Sequence, residues 1–320
     1  ILTQLSWKRG PVSPNLGKKG QGKGRKGEQH PSGRGSGPPW WVAVDKIGDL
    51  RRRIPVRPAR FLVPLNRENM RYLGQNADKI RKYKSRIIWQ LPPVLHEANL
   101  DWAEQEIKKL SRAGYKRFLL GHCLQYGLFL PLIEEQEHDI PELYGNYTLN
   151  LLNSAALQAA AHLGYQGAVF SLDSERENLA SALHHYTGRS DKGKNDEKEP
   201  FPEIQTGVYV YGHPPLFTAR LDSIYFRYQQ TFVSPQEEYF TLEHRDGITA
   251  ARAVLPFSLL KQRQEIEDMG VDFLLLDLSG RAIGRETATV NSLLNQGGQQ
   301  RKRKGKQPAI MQGNFDGVLV

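Results

Sequence analysis

From Trp40 onward the chain alternates between two hydrophobic rhythms. Short apolar runs, each bounded by turn residues, occur at Trp41–Val44, Phe61–Leu65, Arg86–Leu91, Arg117–Leu120, Thr148–Leu152, Ala168–Ser171, Val208–Tyr211 and Phe273–Leu278. Runs this short read as buried strands. Between most of them apolar residues return every three or four positions, over Glu68–Tyr83, Asp101–Ala113, Ser154–Leu163 and Ser174–Tyr186. That spacing predicts helices with one buried face. Asp101 and Ser154 stand where N-caps belong, and Gly114 and Gly164 where helices stop.

Strands that alternate with helices of this length imply βαβ units and a parallel sheet. Eight repeats in about 240 residues match the count and length of a closed barrel. The predicted fold class is therefore α/β, a (β/α)8 TIM-type barrel; an open doubly wound sheet is the alternative. Two departures interrupt the alternation. Thr187–Glu203 is a charged, proline-containing insertion before the seventh run and reads as a surface loop. After that run, Tyr239–Glu243 and Ile248–Leu255 flank Asp246-Gly247, a turn dipeptide, which predicts a β-hairpin insertion. A helix is expected from Phe257 to Met269.

The flanks have another character. Residues 9–39 are rich in Gly, Pro, Lys and Ser and too poor in apolar residues to offset the entropy of ordering, so disorder is expected there. Gln296–Gln307 reads as a second polar linker, and Gly313–Val320 ends apolar and is expected to pack. The chain thus divides into a disordered basic linker (1–39), a barrel domain (40–295) and a basic linker with a C-terminal tail (296–320). The first residue is Ile1, not Met, which points to a fragment or a processed chain.

Charge sharpens this division. The net charge of the chain is +10, yet residues 1–40 contribute +7 and the run Arg301–Lys306 contributes +5, which leaves the body at −2. The basic ends, with Lys18, Lys19, Lys23, Arg25 and Lys26 in the first, suit phosphate backbones such as RNA, or anionic lipid. A solubilising linker is the plain alternative. Gly22–Gly27 has the G-x-G-x-x-G spacing but follows no strand and opens no helix, so it is not a dinucleotide fingerprint. The single Cys123 excludes an intrachain disulfide and an all-cysteine metal or iron–sulfur site within this chain, and fits a cytoplasmic protein. No run approaches the roughly 20 apolar residues of a membrane span, so no membrane partner is expected.

A barrel builds its site where strands end at their carboxyl side. The polar residues there are Asp45, Asn66, Gln90, His96, His122, Asn150, Asn153, Ser171, Asp173, Glu175, His213, Arg220, Asp277 and Ser279. From these, His213, Glu175 and Asp277 are the candidate proton-transfer groups. Asn153, Arg220 and Ser171 are the candidate substrate contacts, with Arg220 suited to a carboxylate or phosphate. Plainer roles stay open. Asp173 and Ser174 can cap the next helix with Glu175 in its first turn, Asn153 and Ser154 can be a cap pair, and His213 can be a turn residue before the stiff Pro214-Pro215. His122 beside Cys123 is a weak thiol–imidazole arrangement, since neighbours on a strand end point apart. His96-Glu97 lacks the second histidine of H-E-x-x-H, and there is no G-x-S-x-G elbow or P-loop. No metal site is predicted.

The second half, about residues 147–280, resembles the collagenase-like peptidase family U32. The resemblance lies in "LNLLNS" (149–154), "FSLDSE" (170–175), "VYVYGHPPLF" (208–217), "RDG" (245–247), "AVLPFSLL" (253–260) and "FLLLDLSG" (273–280), in that order and spacing. It implies a barrel and a peptidase label, while several members of the family are associated with oxygen-independent hydroxylation of RNA or of a quinone precursor. Some of those resemble iron–sulfur proteins with cysteines after strand seven. Here Leu216 or Phe217 stands about where the first such cysteine belongs and Leu221 near the second, so no cofactor is expected in this chain. What the resemblance implies is a U32 peptidase-like protein engaged in RNA modification or RNA binding. The alternative is a non-catalytic barrel, the later and cysteine-poor part of a longer member, docked on a catalytic barrel that holds the cysteines.

Overall fold

A computed structural model describes residues 37–134, 140–187, 203–235, 237–245, 247–296 and 310–317. The basic tail (1–36), the charged insertion (188–202) and most of the second linker (297–309) lie outside the described residues.

Eight parallel strands close into a barrel. They are β1 (Trp40–Ala43), β2 (Pro58–Pro64), β3 (Ile87–Gln90), β4 (Arg117–Leu120), β5 (Glu142–Gly145), β6 (Tyr165–Val169), β7 (Gln205–Gly212) and, after an excursion of the chain, β13 (Phe273–Asp277). Each pairs with the next, β13 pairs with both β7 and β1, and β6 pairs with β7, so the sheet has no open edge. The helices between them are α1 (Arg67–Gln75), α2 (Ala77–Arg81), α3 (Leu100–Arg112), α4 (Leu130–Glu134), α5 (Ser154–His162), α6 (Arg176–Thr187), α7 (Arg263–Asp268) and α8 (Ile283–Gln296). This is the α/β TIM-type barrel that the alternation predicts.

The excursion after β7 builds a four-stranded antiparallel sheet from β8 (Pro215–Ala219), β9 (Thr231–Val233), β10 (Tyr239–Arg245) and β11 (Ile248–Ala253), in the order β8-β11-β10-β9. The predicted hairpin is its centre, with Phe240 opposite Ala253 and Arg245 opposite Ile248. A short strand β12 (Phe257–Ser258) returns to pair antiparallel with the end of β7.

The barrel interior is filled by large side chains. Trp41 stacks on Phe273 with ring centroids 3.7 Å apart, and Tyr144 meets Trp41 edge-on at 5.1 Å. Gly207 makes room for that stack, because a Cβ there would lie 2.1 Å from the Phe273 ring.

Three elements differ from their sequence expectation. The fifth strand is Glu142–Gly145, not Thr148–Leu152. Glu142 pairs with Arg117 at 2.7 Å beside β4, which sets the register. Tyr147–Leu149 forms a single tight turn and Asn150 adopts a left-handed φ of 57°, which ends any extended run. Leu149 folds back over Gly145, where a Cβ would meet it at 2.6 Å. The expected helix from Phe257 to Met269 is α only from Arg263 to Asp268, because Phe257 and Ser258 are drawn into pairing with β7 and Met311. The helix expected over Glu68–Tyr83 breaks at Asn76 into α1 and α2.

Caps shift by one or two residues. Asn153, not Ser154, caps α5 by accepting a hydrogen bond from Ala156 N, and Asn99 precedes α3 with Asp101 in its first turn. Gly114 and Gly164 end their helices at φ of 79° and 90°. The C-terminal segment does pack: Phe315 is buried, and Asp316 pairs with Arg176 at 2.6 Å.

Candidate functional site

The sequences that follow β1, β2 and β3 converge at the carboxyl end of the barrel, and side chains hold them there. Asn69 of α1 accepts a hydrogen bond from Ile47 N and donates to the carbonyls of Asp45 and Pro64, tying the first two loops together. Gln125 accepts from Gly121 N and donates to Pro92 O, fastening the third loop to the fourth. Gly121 is needed for this approach, since a Cβ would lie 2.7 Å from Pro93.

The antiparallel sheet roofs these loops and leaves a cavity of about 380 Å³. That falls within the ~300–1,000 Å³ usual for small-ligand sites. Its apolar wall comes mainly from Leu65, Pro92, Val94, Leu95 and Trp102, and its polar groups are Asp45, Asn66, Arg67, His96, Glu243, Arg245 and Arg252. The roof contributes through one face. Glu243 and Arg245 of β10 lie opposite Ala250 and Ile248 of β11, and all four line the cavity.

Charges are arranged across the cavity in two linked groups. Arg252 donates to Glu243 at 2.9 Å and to the His213 carbonyl. Burial pulls its guanidinium pKa down, but Glu243 and Asp277 outweigh that and hold it above its ordinary value. Asp45 accepts from Gly280 N at 2.6 Å, and Arg245 reaches its other oxygen at 3.9 Å. Burial pushes the Asp45 carboxyl up and the Asp277 charge adds to this, against the Gly280 hydrogen bond and the two arginines, so the net shift is upward. At the rim, the Arg67 guanidinium lies 4.8 Å over the Trp102 ring and donates to Asn99.

Asp277, at the end of β13, accepts from the Tyr209 hydroxyl at 3.1 Å and from Ser279 N at 2.8 Å. Tyr147 packs edge-on against Tyr209 at 5.2 Å. Both phenols are raised above their ordinary pKa, by burial first and by the Asp277 charge second.

The six residues singled out from sequence are scattered relative to this cavity. Asp277 is nearest, coupled to Asp45 and Arg252. His213 is buried beneath the roof: its Nδ1 lies 3.2 Å from Ala253 O and its Nε2 3.3 Å from Glu286 Oε2. Glu175, ahead of α6, accepts from Asn314 at 3.1 Å. Asn153 is the exposed cap of α5. Ser171 donates to Asn150 Oδ1 and accepts from Asp173 N. Arg220 is exposed just past β8. Asp45, Asn66 and His96, noted as polar strand-end residues, do line the cavity. Lys18, Lys19, Lys23, Arg25 and Lys26 lie outside the described residues.

Sequence reasoning missed Arg67, Trp102, Glu243, Arg245 and Arg252. Trp102 sits in an amphipathic helix and reads as core. The roof residues carried one readable signal: charged residues alternate along the two arms of the hairpin, at 243 and 245 and at 252, and alternation in a hairpin puts them on one face.

Among the described residues no cluster of three His, Cys, Asp or Glu side chains is placed to hold a metal ion. Among the described residues no helix is long and apolar enough to cross a membrane. No protein-family model matches the sequence, and no curated protein matches it either. Among solved structures the chain is similar to the U32 peptidase Mk0906, with 11% identity and a TM-score of 0.42, over 79% of this chain and 98% of that one. The barrel assignment rests on the closed strand pairing itself.

Proposed function

We propose that the chain is a U32 peptidase-like barrel protein that binds RNA and acts on it, with the roofed cavity as its site. The family part of this reading rests on the sequence resemblance. The observation that carries the RNA part is the Arg67–Trp102 stack at the cavity rim, with the guanidiniums of Arg245 and Arg252 inside. A flat aromatic–guanidinium surface takes an unstacked base, and arginines take phosphate. Asp45, shifted upward by burial and by Asp277, is the cavity carboxyl whose surroundings most favour its protonated form, which suits a proton donor. The basic tail would add sequence-independent phosphate contacts.

The test is a titration of the full chain with single-stranded RNA oligonucleotides, followed by tryptophan fluorescence and by filter binding. Trp102→Ala and Arg67→Ala are each expected to weaken binding by about tenfold, the scale of losing one base stack. A titration in which both variants bind RNA like the parent removes the cavity from the reading. A chain that binds no RNA at low salt removes RNA itself.

A further inference from the structure

Independently of the cavity, the roof carries an unfinished sheet edge. Nine of the fifteen exposed large apolar side chains among the described residues fall between Leu216 and Leu255, on this one sheet and its connections. Ile224 is 94% exposed and Tyr225 85%. Apolar exposure gathered in this way marks a binding surface more often than chance scatter does.

Strand β9 is the outer edge, and all three of its residues, Thr231, Phe232 and Val233, are exposed. Its backbone polarity follows from its neighbour. Tyr239 O accepts from Val254 N, so the main chain of Tyr239 faces β11. Alternation then turns Phe240 toward β9, where it pairs with Phe232. Leu242 O, two residues on, accepts from Gln229 N, and Glu238 O from Ser234 N, which confirms the phase. The main-chain N–H and C=O groups of Thr231 and Val233 therefore point away from the sheet, toward the open side. Natural edges are commonly guarded by lysine, proline or a bulge. Here the edge is a β-branched, aromatic, β-branched triplet.

The charges around the edge are of both signs. Arg220 and Arg227 are offset by Asp222, Glu237 and Glu238, which suits neither a phosphate backbone nor an anionic lipid surface. Their order suits a two-fold axis. Arg227 lies five residues before Phe232 and Glu237 five residues after it. Antiparallel pairing of two β9 strands centred on Phe232 carries the Arg227 flank of each copy toward the Glu237 flank of the other. Both side chains are exposed, and neither is engaged in an ion pair with any described residue.

We infer that the occupant of this edge is a second copy of the chain, joined through β9 into one continuous eight-stranded antiparallel sheet across a two-fold axis. Thr231 of each copy exchanges two backbone hydrogen bonds with Val233 of the other, and the two Phe232 rings meet on one face. An isologous contact needs a surface complementary to itself, and this edge meets that condition in its hydrogen bonding, its apolar content and its charge order. Three residues bury too little for a stable dimer, which takes roughly 800 Å² per partner. Tyr239, exposed and opposite Val233, enlarges the contact, and in the dimer so do the exposed Ile224 and Tyr225 of the connection that leads into β9.

The test is the mass of the full chain in solution, by sedimentation velocity over a wide concentration range. The expected species has twice the mass of one chain. Phe232→Glu is expected to abolish it, with an unchanged far-ultraviolet circular dichroism spectrum. Arg227→Glu alone and Glu237→Arg alone should each weaken it about tenfold, and the two together should restore it. A chain that stays monomeric at every concentration overturns the inference. So does a dimer that survives both Phe232→Glu and Arg227→Glu.

Discussion

His213 and Glu286 face each other at 3.3 Å with 3% of either side chain exposed, joining the end of β7 to α8. The other His213 nitrogen faces Ala253 O, and Glu286 also accepts from the Tyr211 hydroxyl at 2.6 Å. Both ring nitrogens thus meet oxygens of the protein. The pair ties His213, two residues before β8, and through it Ala253, the last residue of β11, to α8 of the barrel.

Removing the carboxylate exposes what this pair does. Burial pushes the Glu286 carboxyl up, but the hydrogen bonds from His213 and Tyr211 outweigh it, leaving its pKa below the ordinary value. A depressed carboxylate stabilises the fold above its unfolded pKa, and that contribution is lost as pH falls through the folded value. Glu286→Ala is expected to cost about 3–5 kcal/mol near neutral pH, the scale of breaking a buried pair. Denaturant midpoints should show the gap between parent and variant narrowing in acid. A loss under about 1 kcal/mol would mean that the pair is not a structural tie.

Asp45 should behave in the opposite sense. Its folded pKa is raised, so the fold gains from its protonated form below the unfolded pKa and loses that gain as pH rises through the folded one. Asp45→Asn keeps an oxygen for Gly280 N and removes the buried charge. The variant is expected to melt at a higher temperature than the parent near neutral pH. The two should melt alike below the ordinary carboxylate pKa of about 3.9. A lower melting temperature at neutral pH would show that Asp45 is held chiefly by its arginines.

Two glycines make a contrasting pair. Gly207 lies under the Trp41–Phe273 stack, where a Cβ would sit 2.1 Å from the Phe273 ring. Gly207→Ala is expected to destabilise by about 1–3 kcal/mol through overpacking. At Gly74, on the exposed face of α1, an added Cβ would have nothing within 4 Å. Gly74→Ala is expected to stabilise by about 0.5–1 kcal/mol, because alanine is the better helix former. Thermal denaturation of the two variants side by side checks both signs.

The seventh run, Val208–Tyr211, is strongly apolar and lies within β7, and the turn dipeptide Asp246-Gly247 correctly announced β10 and β11. Thr148–Leu152 looked like the fifth strand because its apolar content exceeds that of Glu142–Gly145. What places the strand at Glu142 is its pairing with Arg117, a contact across 25 positions that composition does not show. His213 was singled out because it follows a strand, yet its carboxylate partner lies 73 residues further on, in α8.

The sequence by itself determined the alternation of strand and helix and the count of eight runs that a barrel needs, because those follow from local periodicity and turn chemistry; that the sheet closes and is not open was decided by the pairing of β13 with β1 and of β6 with β7. It also determined which ends of the chain are basic. Only the tertiary structure decided which polar residues share a site. The antiparallel sheet folds over the mouth and brings Glu243, Arg245 and Arg252 to Asp45, His213 is buried against Glu286 of α8, and the C-terminal segment brings Asn314 to Glu175. The physical reason is that burial and ion pairing depend on where a later segment comes to rest. No period of two or of 3.6 residues encodes the return of residues 239–253 to the loop at residue 45.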